Sequence, residues 1–355
     1  MLEYVRAKNI KQGDILARPL HDERGMMLMA AGTKITEKAI EALKAQGFKG
    51  IYVQHVSRRE NIEIPEPLVD DMDALRIVSL LKKTFTNKRI FDDPFDAEFQ
   101  KTLKEFQEFV DDTSMAFMRL NAKNRLLFEL EDSRNSKNWI SAHSYYTCLI
   151  SIGMAIRMGL GLKFMADCGM AALLHDLGKL KYPQLLGKEK ISDEERKLLR
   201  EHPRIMFEVL QKLNMPVDTL YAVWQHHEHI DGTGYPQGLP AGKINLAAQI
   251  VGLASAYDNL VAATPYNSSP MLQGEALEYL MGSQAFPTDA VRALTEIIAP
   301  YPIGEWVLLS DGTKGLVTHN HVGLPLRPDV SVFGMKVSLA QDEKYRNVTI
   351  VGIAE

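Results

Sequence analysis

The sequence predicts a mainly α fold: an all-helical bundle preceded by a small α+β unit and followed by a small β unit. Three observations carry this. Leu103, Phe106, Val110, Phe117, Leu120, Leu127 and Leu130 recur near helical spacing. Residues 137–298 read as helix after helix, broken by short loops. From Tyr301, "GEWVLLSDGTKGLVTHNHVGLPLRPDVSVF" alternates apolar and polar residues around Asp-Gly and Gly turns, the pattern of short strands.

Taken in order, residues 1–56 form the α+β unit. "ILARPLHDERGMMLMAAG" predicts two short strands around a turn at Glu23-Arg24-Gly25. "TEKAIEALKAQG" predicts a helix with Thr36 as N-cap and Gly47 as stop, and "GIYVQ" a strand. Residues 57–72 are polar with two prolines and read as a linker. A helical connector spans 73–136, with at least one long amphipathic helix. The helical domain proper spans 137–300, where Ser192 and Glu195 make a capping box. Residues 301–355 are the β extension.

Composition sets the class. A hydrophobic fraction of 46% and a charged fraction of 24% are those of a soluble globular chain. A net charge of −4 gives no case for a DNA or RNA polymer as partner. The first residues lack an apolar core of signal-peptide length, and the most membrane-like run, "CLISIGMAIRMGLGL", is broken by Arg157. A cytoplasmic protein without a membrane partner is the expectation. Cys148 and Cys168 match no close-spaced zinc or redox motif and read as reduced, buried thiols.

Six of the ten histidines lie between 143 and 229. In "AALLHDLGKL", His175 and Asp176 end an apolar run, and a carboxylate beside Leu173, Leu174 and Leu177 is costly without a compensating cation. Asp176 offers two oxygens and can bridge two ions. Adjacent helical residues diverge by about 100°, so ligation by both His226 and His227 calls for a helix end at the floor of a site. The loop holding Gly232, Gly234 and Pro236 supplies that end. Taken singly, His143 is as well read as structural, and His202 beside Pro203 as a helix-boundary residue. His21, His55, His319 and His321 read as structural, the last two for want of an acid partner. Mixed histidine and carboxylate donors suit iron, manganese, nickel or zinc, and the chemistry they support is metal-assisted hydrolysis of a phosphate ester. No G-x-S-x-G elbow and no Walker A loop compete.

"HDLGK" at 175–179 followed by "HHEHIDGTGYP" at 226–236 resembles the HD-GYP phosphodiesterases, a branch of the HD phosphohydrolases. The likeness covers roughly 137–300. It implies an HD-type all-helical catalytic bundle with bound metals that cleaves a cyclic dinucleotide, usually cyclic di-GMP, to pGpG or GMP in bacterial signalling. Carried over by position, His143, His175, Asp176, His202, His226 and His227 match metal ligands. Asp176 matches the bridging ligand, and Asp176 with Lys179 the catalytic pair. Lys179, Gly234, Tyr235, Pro236 and Asp258 match residues at the substrate. The implied cofactors are two divalent transition ions, iron or manganese first, with nickel or zinc as alternatives. The implied partners are the cyclic dinucleotide and a diguanylate cyclase or other signalling protein, with a homodimer also admitted.

Three departures stand out. Ser255, in "ASAYDN", sits where the family has a further aspartate ligand. Thr264 and Asn267, in "TPYN", replace two arginines. Trp139 stands where three-metal members carry a glutamate, so a third ion is not expected. Two readings therefore stay open: a metal-dependent phosphodiesterase, or a degenerate member serving as a cyclic-dinucleotide receptor or protein-interaction module. A purely structural helical protein is a third, and leaves the combined histidine pattern without a reason.

Overall fold

A computed structural model describes residues 2–354 apart from 22–26, 46–47, 49, 55–67, 129–137, 189 and 268. The turn at Glu23-Arg24-Gly25, the stop at Gly47, His55, Leu130 and most of the 57–72 linker lie outside the described residues, as does the side chain of His21. By its internal contacts the chain divides into two units. One comprises Met1–Leu68, Leu127–Asn135 and Thr295–Glu355, the other Val69–Leu126 and Ser136–Leu294.

The first unit is built on strands. β1 (Leu2–Arg6), β5 (Gly50–Gln54) and β2 (Ile15–Leu16) form an antiparallel sheet, and β3 (Leu20–His21) pairs with β4 (Met27–Met29) in a separate ribbon. Helix α1 (Glu37–Ala45) is capped by Thr36, whose Oγ1 accepts from the Ala39 amide. Val5, Leu16, Ile35, Leu43, Ile51 and Val53 make its core. A five-stranded sheet, ordered β10-β6-β7-β8-β9, comprises β6 (Trp306–Leu309), β7 (Lys314–His319), β8 (Asp329–Val332), β9 (Met335–Ser338) and β10 (Ile350–Ile353). Val307, Leu309, Val317, Val330 and Val337 alternate into its core. The two ends of the chain, read above as separate small units, are tied together. The Tyr4 amide donates to the Gly304 carbonyl at 2.9 Å, and Arg6 Nε to the buried Glu305 Oε1 at 2.7 Å.

One expectation is corrected here. His321 does have an acid partner: its Nε2 lies 2.7 Å from Asp329 Oδ1, and Lys336 holds the other oxygen at 3.0 Å. Asp329 is eight residues away and reaches His321 only because β8 pairs with β7.

The second unit is helical, as expected. Its opening pattern yields two helices, α2 (Asp71–Thr84), capped by Asp70, and α3 (Ala97–Ala122), capped by Asp96. Phe99, Phe106, Phe109, Val110 and Phe117 form the buried stripe of α3. The rest of the bundle follows: α4 (Trp139–Arg157), α5 (Leu162–Leu174), α6 (Asp193–Leu199), α7 (His202–Lys212), α8 (Val217–Gln225), α9 (Leu246–Val261), α10 (Gln273–Gly282) and α11 (Thr288–Ile297). Ser192 and Glu195 make the capping box of α6.

Helix α4 is buried on every side and packs against α5 and α9, while α8 packs against α5 and α9. Each buried aliphatic side chain of α4 contributes about 1.5–3 kcal/mol, so the groups that α4 carries inward are held rigidly. Cys148 and Cys168 are free and buried, and burial pushes both thiols up. Among the described residues no helix is long and apolar enough to cross a membrane.

Candidate metal centre

Three helix ends, a 3-10 turn and two core helices bring the predicted residues together. His143 comes from the middle of the buried face of α4. His175 ends α5, and Asp176 begins the 3-10 turn 177–181. His202 is the first residue of α7, with Pro203 behind it; His226 ends α8 and His227 follows. Ser255 and Asp258 lie on α9. His143, His175 and Asp176 offer ligand atoms within 4.8 Å of one another, and so do Asp176, His202, His226 and His227. Asp176 belongs to both groups.

The local sequence explains how the histidines are aimed. The last carbonyls of a helix lack intrahelical partners, and a histidine three residues on can use one. His175 Nδ1 donates to the Ala172 carbonyl at 2.7 Å, His202 Nδ1 to Leu199 at 2.7 Å and His226 Nδ1 to Val223 at 2.8 Å. His143 sits mid-helix and uses a carboxylate instead, Nδ1 donating to Asp258 Oδ2 at 2.6 Å. A carbonyl or carboxylate can only accept, so each Nδ1 carries the proton and each Nε2 presents a lone pair. The carbonyl ends of α5 and α8 also favour positive charge nearby.

These lone pairs face one another. His143 Nε2 lies 3.2 Å from His175 Nε2, and His202 Nε2 lies 3.3 Å from His226 Nε2. Neutral imidazoles so oriented have no proton to share and repel unless a cation lies among them. Burial favours the neutral form: it lowers His175 to about 3 and lowers His202, His226 and His227 as well. Burial alone would raise the Asp176 carboxyl, but Lys179, His175 and His202 outweigh it and hold the group well below its usual range. Asp176 Oδ1 and His227 Nε2 are shielded from solvent without a hydrogen-bond partner. Buried polar atoms seldom go unpaired, and both point into the cluster. The donor set fits divalent transition ions.

The remaining expected residues fall as follows. Lys179 Nζ is 2.6 Å from Asp176 Oδ2, and its side chain is 19% exposed. Tyr235 stacks on His227 at 4.5 Å between ring centroids, walling one side of the cluster. Gly234 lies against the His227 backbone, where an added Cβ would meet the carbonyl oxygen at 2.4 Å. Asp258, expected beside substrate, is fully buried, with its carboxylate on His143 Nδ1. Thr264 and Asn267 close their own turn. The Thr264 and Asn267 backbones bond each other, and Asn267 Nδ2 donates to the Asn259 carbonyl at 2.9 Å. Trp139 packs edge-on against Tyr266.

Sequence reasoning missed three contributors. Glu228, buried, accepts from the Gln237 and Leu239 amides and so folds the 232–239 loop; its place inside the histidine block was the available signal. Arg200 lies over the Tyr235 ring at 5.0 Å, a through-space contact with no local signal. Gly178 is the third: a Cβ there would stand 2.1 Å from the His202 carbonyl oxygen. Gly178→Ala should therefore push the 177–181 turn off α7. A loss of about 1–3 kcal/mol in urea unfolding is expected, with weakened metal binding; an unchanged midpoint would contradict this close packing.

Residues 133–286 match the HD domain family. Over 232 residues the chain is 31% identical to a curated cyclic di-GMP phosphodiesterase of Pseudomonas aeruginosa, covering 64% of this chain and 55% of that protein. It is 32% identical over 204 residues to a cyclic di-GMP phosphodiesterase of Thermotoga maritima, covering 56% and 53%. The chain thus spans about half the length of these curated relatives. Among solved structures, an HDG"Y"P protein of Bdellovibrio bacteriovorus aligns with 83% of this chain and 98% of its own, at 20% identity and a TM-score of 0.46.

Proposed function

We propose that this chain, whose residues 133–286 match the HD domain family, hydrolyses a phosphodiester bond of a cyclic dinucleotide, cyclic di-GMP first, with divalent metal ions bound among His143, His175, Asp176, His202, His226 and His227. The observation that carries the reading is the pairing of facing Nε2 atoms around one shared carboxylate. The likeness to curated cyclic di-GMP phosphodiesterases supports the choice of substrate.

Divalent ions, when bound, stabilise charge on phosphoryl oxygens and make water more acidic. The chain's own residues set the stage. Asp258 and the helix-end carbonyls of Ala172, Leu199 and Val223 fix four imidazoles with Nε2 inward. Burial keeps His175, His202 and His226 neutral and available as metal donors. Lys179, bonded to Asp176 with one of its three N–H groups and partly exposed, has others left to neutralise a phosphoryl oxygen. Tyr235 and the Gly234–Pro236 loop stand over His227 and close one wall against water.

The test is product analysis. Protein purified without oxygen and loaded in turn with iron, manganese, nickel or zinc is incubated with cyclic di-GMP, and linear pGpG and GMP are separated by chromatography. Turnover with at least one of iron or manganese is expected. Tight dinucleotide binding without product in any metal form would replace the enzyme with a receptor.

A further inference from the structure

We propose that the two cation positions of this centre are unequal by design. The position made by Asp176, His202, His226 and His227 takes a divalent ion tightly. At the position made by His143 and His175, the Lys179 ammonium already supplies positive charge, so a second ion binds weakly and exchanges. This rests on reading the cluster as a metal centre, and it goes beyond that reading to the occupancy of each half.

The donors differ. The first position has one carboxylate and three imidazoles, a full set for a four-coordinate divalent ion. The second has two imidazoles, a share of the same carboxylate and the Ser255 hydroxyl, whose Oγ lies 3.2 Å from His143 Nε2. A serine hydroxyl is neutral and brings no compensating charge.

The two oxygens of Asp176 also have different neighbours. Oδ1 lies 3.3 Å from His202 Nε2 and has no hydrogen-bond partner. Oδ2 lies 3.8 Å from His143 Nε2 and 2.6 Å from Lys179 Nζ. The oxygen that faces His143 is thus the one the ammonium holds. An ion entering beside His143 must displace Lys179 or share that oxygen with it at close range. Charge counting points the same way. One carboxylate cannot offset two divalent ions and an ammonium in a buried cluster, and uncompensated buried charge is strongly unfavourable. The Asp258 carboxylate meets the Nδ1 side of the His143 ring at 2.6 Å and reaches this position through the imidazole.

Such a centre would respond to metal supply, its second half filling only when the ion is abundant or when an anionic ligand draws Lys179 away. The experiment is a titration of the metal-free chain with manganese(II) without oxygen, followed by calorimetry, elemental analysis and electron paramagnetic resonance. Wild type should bind one ion tightly, with the spectrum of an isolated ion, and a second at least about 10–100-fold more weakly, the scale on which ligand surroundings change metal affinity. Ser255→Asp should bring in a second tight ion and an exchange-coupled spectrum. Lys179→Met should raise the second affinity at least about 10-fold while leaving the first unchanged. Circular dichroism confirms that each variant is folded. Two ions of equal affinity in wild type, or no change in the second affinity in either folded variant, overturns the proposal. Turnover is not read, so a chain that fails to cleave cyclic di-GMP leaves this result standing, whereas absence of any tight manganese sinks the metal centre itself.

Discussion

Asp176→Asn should lower hydrolysis of cyclic di-GMP by about a thousand-fold or more, a loss of about 4 kcal/mol in transition-state stabilisation. The substitution keeps shape and volume and removes charge. Asp176 is the carboxylate shared by both histidine groups, and its Oδ1 lies 3.3 Å from His202 Nε2 while Oδ2 holds Lys179. An amide in its place presents an N–H₂ donor to one side, aimed at a cation position or at the Lys179 ammonium. Either choice adds repulsion in a buried site. The metal-free fold should survive, since the change also removes a buried charge; far-ultraviolet circular dichroism reads this. Initial rates measured with saturating manganese and iron decide the matter. Activity within tenfold of wild type would remove Asp176 from the machinery, and with it the shared-carboxylate metal centre as the seat of hydrolysis.

The second large effect is on stability. Stripped of metal, the protein should unfold as the pH falls from about 6.5 towards 5, and divalent ions should move that transition to lower pH. Burial lowers His175, His202, His226 and His227 in the folded state, His175 to about 3. In the unfolded chain all four return to about 6.5. Above that value neither state holds the extra protons and the groups contribute no slope. Below it the unfolded chain takes up protons that the folded chain refuses, so stability is lost with acidification. Each such histidine removes up to about 1.4 kcal/mol per pH unit. Several such groups acting together remove a sizeable share of the stability of an ordinary domain, about 5–15 kcal/mol. The depressed Asp176 adds to the loss only below about pH 4. Bound ions favour the folded state by mass action and compete with protons for the same nitrogens. Thermal melts between pH 7.5 and 5, with chelator and with manganese, provide the check; a metal-free melting temperature that stays level across that range would contradict the buried, neutral imidazoles.

Much of the fold and most of the candidate donor set are legible in the chain itself. Helical periodicity over 97–122, the Ser192–Glu195 box and the Asp-Gly turn of the β extension are local signals, each spanning a few residues with its own physical cause. The histidines of the cluster are legible for another reason. An ionisable group at the end of an apolar run, as in "AALLHDLGKL", is expensive to bury, and that cost marks it as having a partner.

Which partner is another matter. Asp258 follows Ser255 by three residues and shares its side of α9, yet the serine hydroxyl meets His143 Nε2 and the carboxylate meets His143 Nδ1, on opposite sides of one ring 112 and 115 residues away. Asn267 stands where the family has an arginine, and turns back to cap α9. His321 finds Asp329 only through strand pairing, and the two ends of the chain meet through Tyr4 and Gly304. Residue types and helix boundaries arise from the chemistry of neighbours along the chain, so the sequence alone determined the helical class and the candidate donors. The aim of His143, set by Asp258, and the meeting of the facing Nε2 atoms around Asp176 depend on groups that only folding brings within 4 Å. Short-range forces act on distance in space and carry no signature in separation along the chain, so the tertiary structure alone decided them.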